Sequence, residues 1–351
     1  MPDKTFLLYG ASGYTGELIA RLAVERGMKP ILAGRDKSKF ASLAAELSLE
    51  SREFGLDQPD SIDDAIRDVQ VVMHCAGPFS RTYRQMAEAC LRTGVHYLDI
   101  TGEIEIFEAL AARNEQAKAG GVMLMPGTGF DVVPTDCLAA HLKQRLPTAT
   151  HLALVIKSKG RISQGTATTM VENIGRGGAL RQDGRITLVP AAAKTRVVEF
   201  NGKPNTVTLF PWGDVATAYH STGIPNVEVY FAIPASMRRM IKSSRYIGGL
   251  LTTGPVQRFL KKRIKAGPAG PSEEERRTGK TTIWGEVTDA SGGRAVSRLY
   301  TGEGYALTAQ TAVKILEKVL AGNVRTGFST PSLAYGPDLI LEIEGVRRED
   351  E

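Results

Sequence analysis

The chain has 351 residues, enough for two domains at roughly 150 residues each. Hydrophobic residues make up 42% and charged ones 23%, a globular composition that excludes wholesale disorder. A net charge of +6 is too small to imply nucleic-acid binding, and three scattered cysteines, Cys75, Cys90 and Cys137, make neither a disulfide framework nor a zinc ribbon.

The opening run Lys4 to Tyr9 reads as a strand, with no signal-peptide pattern before it. Nowhere do about eighteen apolar residues run together, so no spanning helix is expected. A cytoplasmic protein in a reducing compartment is the simplest expectation. Helical spacing follows over Glu17 to Arg26, then a strand over Pro30 to Ala33 and a helix over Lys37 to Leu47. Val69 to Cys75 is rich in β-branched residues and reads as a buried central strand. A helix over Arg84 to Arg92, strands over His96 to Ile100 and Gly121 to Met125, and a helix from about Thr135 to Arg145 complete the first third. Strands alternating with helices predict a Rossmann-type α/β layer, a doubly wound, mostly parallel sheet.

The pattern changes near Pro147. Alternating strands over His151 to Lys157, Thr195 to Phe200, Thr206 to Phe210 and Val227 to Ile233, punctuated by Gly and Pro, predict a second α+β domain on a mostly antiparallel sheet. Strands return over Thr281 to Val287 and Ala295 to Tyr300. A helix over Tyr305 to Leu320 ends at Gly322-Asn323, and the polar residues Arg347 to Glu351 are expected to fray. The expected boundaries are 1–146, 147–303 and a C-terminal piece, 304–351, that returns to the first domain.

Between Glu228 and Glu273 there is no acidic residue, while nine cations fall between Arg238 and Lys265. Met240, Ile241, Tyr246, Ile247, Leu250, Leu251, Phe259 and Leu260 interleave with them. A helical hairpin packed on the sheet with a solvated basic edge is the preferred reading; peripheral contact of 237–265 with an anionic membrane is the alternative.

The motif that carries chemistry is Gly10-Ala-Ser-Gly13-Tyr-Thr-Gly16, placed after a strand and at the opening of a helix. Its glycine spacing is one residue longer than the common G-x-G-x-x-G. A tight turn there brings backbone N–H groups and a helix N-terminus to a pyrophosphate, and Gly16 lets helix and strand pack closely. Gly10, Ser12, Gly13, Tyr14, Thr15 and Gly16 are therefore candidate dinucleotide contacts. Where NAD-binding domains usually carry an acid for the ribose, this chain has Ala33-Gly-Arg35-Asp-Lys37. Arg35 and Lys37 would attract the extra phosphate of NADP, with Ser38 as a further contact, and Asp36 is the complication. Cys75, Ala76, Gly77 and Pro78 end the central strand and would wall the nicotinamide ribose. Cys75 reads as a small buried residue rather than a nucleophile.

These motifs occur in order with Cys75-Ala-Gly-Pro-Phe79, Tyr97-Leu-Asp-Ile-Thr-Gly-Glu103, Gly129-Phe-Asp-Val-Val-Pro-Thr-Asp136 and Gly327-Phe-Ser-Thr-Pro331. Together they resemble the saccharopine dehydrogenase-like oxidoreductases, in the branch of trans-acting enoyl reductases and saccharopine dehydrogenase-like proteins. Gly165-Thr166, Gly267-Pro-Ala-Gly-Pro271 and Gly304-Tyr-Ala-Leu-Thr308 fit the same pattern in the second domain. The resemblance implies an NADP-binding Rossmann domain, a substrate domain, and hydride transfer to a C=C or C=N bond of a small or lipid-like substrate. A homodimer is expected. The alternatives are a non-catalytic NADP-binding or lipid-associated relative, and a true saccharopine reductase.

Hydride transfer often needs one proton donor. Asp131, Tyr83 and Asp99 are the candidates, all near expected strand ends; capping the helix that follows competes for Asp131. Glu103 is expected at a helix start. His74, His96, His141, His151 and His220 show no metal-ligand spacing, so no metal is expected.

Overall fold

The computed structural model describes residues 5–158, 160–172, 177–200, 202–251 and 253–351, with side chains outside that description over 244–251. Lys4, Thr252 and the side chains of Tyr246, Ile247, Leu250 and Leu251 thus lie outside the described residues. The chain divides into two units, Met1–Val133 with Tyr305–Gly336, and Pro134–Gly304 with Pro337–Glu351. The first boundary falls earlier than expected because the helix that begins at Val133 packs in the second unit. The returning piece is also shorter than expected, since its last residues go to the second unit.

In the first unit, β1 (Thr5–Tyr9), α1 (Tyr14–Glu25), β2 (Lys29–Gly34), α2 (Ala41–Glu46), β3 (Ser51–Glu53), α3 (Pro59–Ile66) and β4 (Val71–His74) come first. Then follow α4 (Phe79–Thr93), β5 (His96–Asp99), α5 (Ile104–Ala111), α6 (Asn114–Ala119) and β6 (Met123–Met125). The second unit holds α7 (Val133–Arg145), β7 (His151–Ser158), α8 (Gln164–Glu172), β8 (Gly178–Gln182), β9 (Arg185–Val189), β10 (Thr195–Phe200), β11 (Lys203–Leu209) and α9 (Asp214–Thr222). It continues with β12 (Asn226–Phe231), α10 (Ala235–Leu251), α11 (Gly254–Lys265), α12 (Glu273–Thr278), β13 (Lys280–Thr288) and β14 (Arg294–Gly302). The chain returns to the first unit with α13 (Gly304–Leu320), β15 (Gly327–Phe328) and α14 (Pro331–Tyr335), and ends on β16 (Arg347–Asp350).

The first unit carries one seven-stranded, all-parallel sheet in the order β15-β6-β5-β4-β1-β2-β3. Both faces of such a sheet are covered, so its strands read as continuous apolar runs. Leu7, Leu8, Val72, Met73, Leu98 and Leu124 are accordingly buried. Helix α13 is held by two threonines: Thr308 Oγ1 accepts the Phe130 N–H at 3.0 Å, and the Thr311 hydroxyl donates to the Thr128 carbonyl at 2.9 Å.

The second unit is built on a mixed sheet, β10-β11-β12-β7-β13-β14-β16, with β8 beside β12 and β9 beside β8. Among the described residues only β7 and β12 pair in parallel there. Its core centres on Val155, Phe200, Val207, Leu209, Tyr230 and Trp284. The C-terminal tail, expected to fray, forms β16: it pairs with β14, and the Asp350 carboxylate takes a hydrogen bond from the Ser297 hydroxyl at 2.7 Å. Ser163 precedes α8 and its Oγ accepts the Thr166 N–H, so Gly165 and Thr166 lie inside the first helical turn.

Candidate functional site

The site begins where β1 turns into α1. Gly10 has φ +95°, and a Cβ there would stand 2.7 Å from the Ala76 backbone nitrogen. A Cβ on Gly16 would stand 2.4 Å from the Gly10 carbonyl oxygen. Both positions need glycine because the turn presses on the end of β4 and α1 presses on the turn. Neighbouring strand ends tie the turn down: the Gly10 N–H donates to Ala33 O at 2.8 Å, and the Cys75 N–H to Tyr9 O at 2.7 Å. Ser12 and Gly13 stay exposed. The amides of Thr15 and Gly16 lie in the first turn of α1, where a helix has no internal acceptors, and so remain to meet an anion.

At the end of β2, Arg35 is exposed and makes no hydrogen bond or ion pair among the described residues. Its cation nevertheless acts on Tyr9, whose phenol burial pushes up to about 12 against the pull of Arg35. Asp36 is occupied elsewhere. Its carboxylate accepts the Ser38 N–H at 3.2 Å and the Ser38 hydroxyl at 2.5 Å, and pairs with Lys39 at 3.3 Å. The Ser38 hydroxyl bond, first, and the Lys39 contact hold the Asp36 carboxyl below its usual range. Ser38 is thereby spent as a partner of Asp36. Lys37 is exposed, with its N–H on Glu53 Oε1 at 3.3 Å.

The end of β4 supplies Cys75, Ala76, Gly77 and Pro78, and the Gly77–Pro78 bond is cis. Burial pushes the Cys75 thiol up, keeping it protonated and unsuited to attack. Behind the loop, Thr82 donates to Ala76 O at 2.7 Å and meets His74 Nε2 at 3.0 Å. His74 is fully buried, and that burial lowers its pKa to about 3, so it is neutral. Thr82, not Tyr83, therefore turns back to this loop. Tyr83 lines a pocket of about 130 Å³ between α4 and α5, beside Ala87, Leu91, Leu110 and Arg113. The reason is helical phase: one residue further round α4 faces α5 rather than the strand end.

Asp99 closes β5 and is completely buried. Its carboxylate accepts the Tyr97 hydroxyl at 2.7 Å and the N–H groups of Thr101 and Gly127, each at 2.9 Å. Burial raises its pKa to about 6, opposed by those three donors. These bonds splice the ends of β5 and β6, which makes Asp99 a strut for two loops. Glu103 precedes α5 as expected, and its Oε1 accepts the Phe79 N–H at 3.0 Å. Asp131 lies beyond β6 against Gly102, where a Cβ would stand 2.7 Å from Asp131 Oδ2. It makes no hydrogen bond among the described residues, so it does not cap α7. Burial raises its pKa to about 7.

In a parallel sheet all these segments share one edge. Taken across the sheet they run Arg35 after β2, the glycine turn after β1, Cys75 to Pro78 after β4, Thr101 to Glu103 after β5, and Asp131 after β6. Ligands of open α/β sheets sit outside that carboxyl edge. The turn at the N-terminus of α1 and an unengaged guanidinium on the adjacent strand end fit a dinucleotide with a phosphorylated adenosine.

Comparison with known proteins agrees with this geometry. Residues 6–125 match the family model of the saccharopine dehydrogenase NADP binding domain. The match runs from β1 through β6 of the first unit. The chain is 33% identical over 156 residues to a trans-acting enoyl reductase of Mycobacterium leprae, covering 41% of this chain and 37% of that one. A saccharopine dehydrogenase-like oxidoreductase of Mus musculus is 26% identical over 202 residues, covering 50% of this chain and 47% of the relative. The matches thus span less than half the length of these relatives. Among solved structures, saccharopine dehydrogenase (L-Glu forming) from Saccharomyces cerevisiae superposes with a TM-score of 0.68 over 99% of both chains at 12% identity, so the fold is shared.

Around the NADP-binding domain, two roles escaped sequence reasoning. The strut role of Asp99 depends on a Gly127 amide 28 residues away. The threonine clasp of α13 on the β6 loop depends on residues 178 and 183 positions apart. The Gly304-Tyr-Ala-Leu-Thr308 run was the available signal for the second. Among the described residues no group of three His, Cys, Asp or Glu side chains could hold a metal ion, and no helix is long and apolar enough to cross a membrane.

Proposed function

We propose that the protein is an NADP(H)-dependent oxidoreductase that reduces a C=C bond of a small or lipid-like substrate, with C=N reduction as the second possibility. The observation that carries the cofactor choice is Arg35: exposed, unengaged, and flanked by an acid already spent on a local turn. A guanidinium there stabilises an adenosine 2′-phosphate, where an acid would repel it.

Bound along this edge, the dinucleotide supplies hydride. The chain's part is to hold and to protonate. The turn amides and the α1 N-terminus would receive the pyrophosphate, and the Cys75–Pro78 wall would border the nicotinamide half. Asp131 holds a proton near neutrality at the β6 end of the same edge, which suits a general acid. Within the second unit, the half-buried cluster of Phe210, Trp212 and Phe231 at the ends of β11 and β12, with ring centroids 4.8 to 6.3 Å apart, would suit an apolar ligand.

Calorimetric titration with NADPH and NADH tests the reading. The parent protein binds NADPH more tightly, and Arg35→Ala weakens NADPH by about 10- to 100-fold, the worth of a charge-assisted contact, while leaving NADH unchanged. Equal affinities in the parent protein would overturn the NADP assignment. Oxidation of NADPH by enoyl but not imine substrates supports the first reaction; oxidation by neither panel would remove the catalytic reading.

A further inference from the structure

The nine cations between Arg238 and Lys265 outnumber the whole net charge of +6, so the remainder of the chain is net acidic. Helix α11 shows how this excess is displayed. Its inner face packs on α8: Gln257 Nε2 donates to Val171 O at 2.9 Å, and Lys261 pairs with Glu172 at 2.6 Å. Its outer face carries Arg258, Phe259, Lys262 and Arg263, all exposed. Phe259 is 62% exposed although Val256, Leu260 and Ile264 supply the inward apolar stripe. The fold therefore does not use this aromatic ring. Helix α10 repeats the arrangement, with Met237 43% and Met240 63% exposed beside the exposed Arg239 and Lys242.

We infer that the outer face of α11, with the start of α10, docks on an anionic lipid surface. Cations alone would suit any polyanion. Large apolar side chains set among them at helical spacing suit an interface in which charges meet phosphate headgroups while the ring and thioethers enter the acyl boundary. Each cation near such a surface contributes a few-fold in affinity, screened by salt over a Debye length of about 10 Å at 0.1 M. No part of this inference depends on hydride transfer.

Co-sedimentation of the full chain with vesicles tests it. Phosphatidylcholine vesicles with about 30% phosphatidylglycerol are compared with pure phosphatidylcholine, at low and high salt. The expected result is capture on the anionic vesicles only, weakened by high salt. The triple change Arg258→Glu, Lys262→Glu, Arg263→Glu lowers binding about 100-fold or more. Phe259→Ser lowers it about 10-fold with an unchanged melting temperature. No capture on anionic vesicles would overturn the inference. So would capture that Phe259→Ser leaves intact, or tighter binding to duplex DNA than to vesicles, since either marks a purely electrostatic patch.

Discussion

Two loops at the carboxyl edge of the parallel sheet are shaped by opposite means. The β1–α1 turn owes its form to missing side chains, since Gly10 and Gly16 stand where any Cβ meets backbone. The ends of β5 and β6 owe theirs to one present side chain, the buried Asp99 carboxylate holding Thr101, Gly127 and Tyr97. The first device is intolerant of addition and the second of removal. Both place a binding edge, but only the first announces itself in sequence.

The largest expected effect comes from adding one methyl to the first loop. Gly10→Ala combines a positive φ with a Cβ 2.7 Å from Ala76 N, costing about 3–5 kcal/mol by backbone strain and overpacking together. Denaturant unfolding would show it, along with loss of NADPH binding; a midpoint within error of the parent would break the steric account. Next is Asp99→Ala, which orphans two buried amides and a phenol for about 2–4 kcal/mol. If Asp99 instead served as the proton donor, the variant would keep its stability and lose only turnover.

The smallest effect sharpens the contrast between Asp99, which is buried, and Asp131, which is partly buried. The folded pKa of Asp131 is raised from an ordinary 3.8 to about 7, so the folded state holds the extra proton. Stability supplied by that proton is present at low pH and lost as pH rises between about 4 and 7. Asp131→Asn should flatten this part of the stability profile and remove the fall in turnover above about pH 7. Unfolding midpoints at pH 5 and pH 8, with a pH–rate profile, check both; curves parallel to the parent in each would remove Asp131 as the acid.

The two loops also differ in how far along the chain their determinants lie. The glycine turn, the strand before it, the helix after it and Arg35 lie within one βαβ stretch, where spacing and residue type carry the physics. Tyr83 was placed near the right strand but one helical position from the face that meets it. The tail from Arg347 looked like a frayed end because its partner strand, β14, lies some fifty residues earlier. The Gly304 to Thr308 run marks the start of α13, but its hydrogen bond to the loop after β6 joins residues 178 positions apart.

The linear order of residues was enough to specify a Rossmann-type layer and a glycine turn that opens a helix, because those features rest on local backbone freedom. Tertiary structure alone decided which carboxylate braces two loops and which makes no hydrogen bond among the described residues. Asp99 and Asp131 are chemically the same group. Burial depth and the count of N–H and O–H donors around each, supplied by distant segments, set their different behaviour.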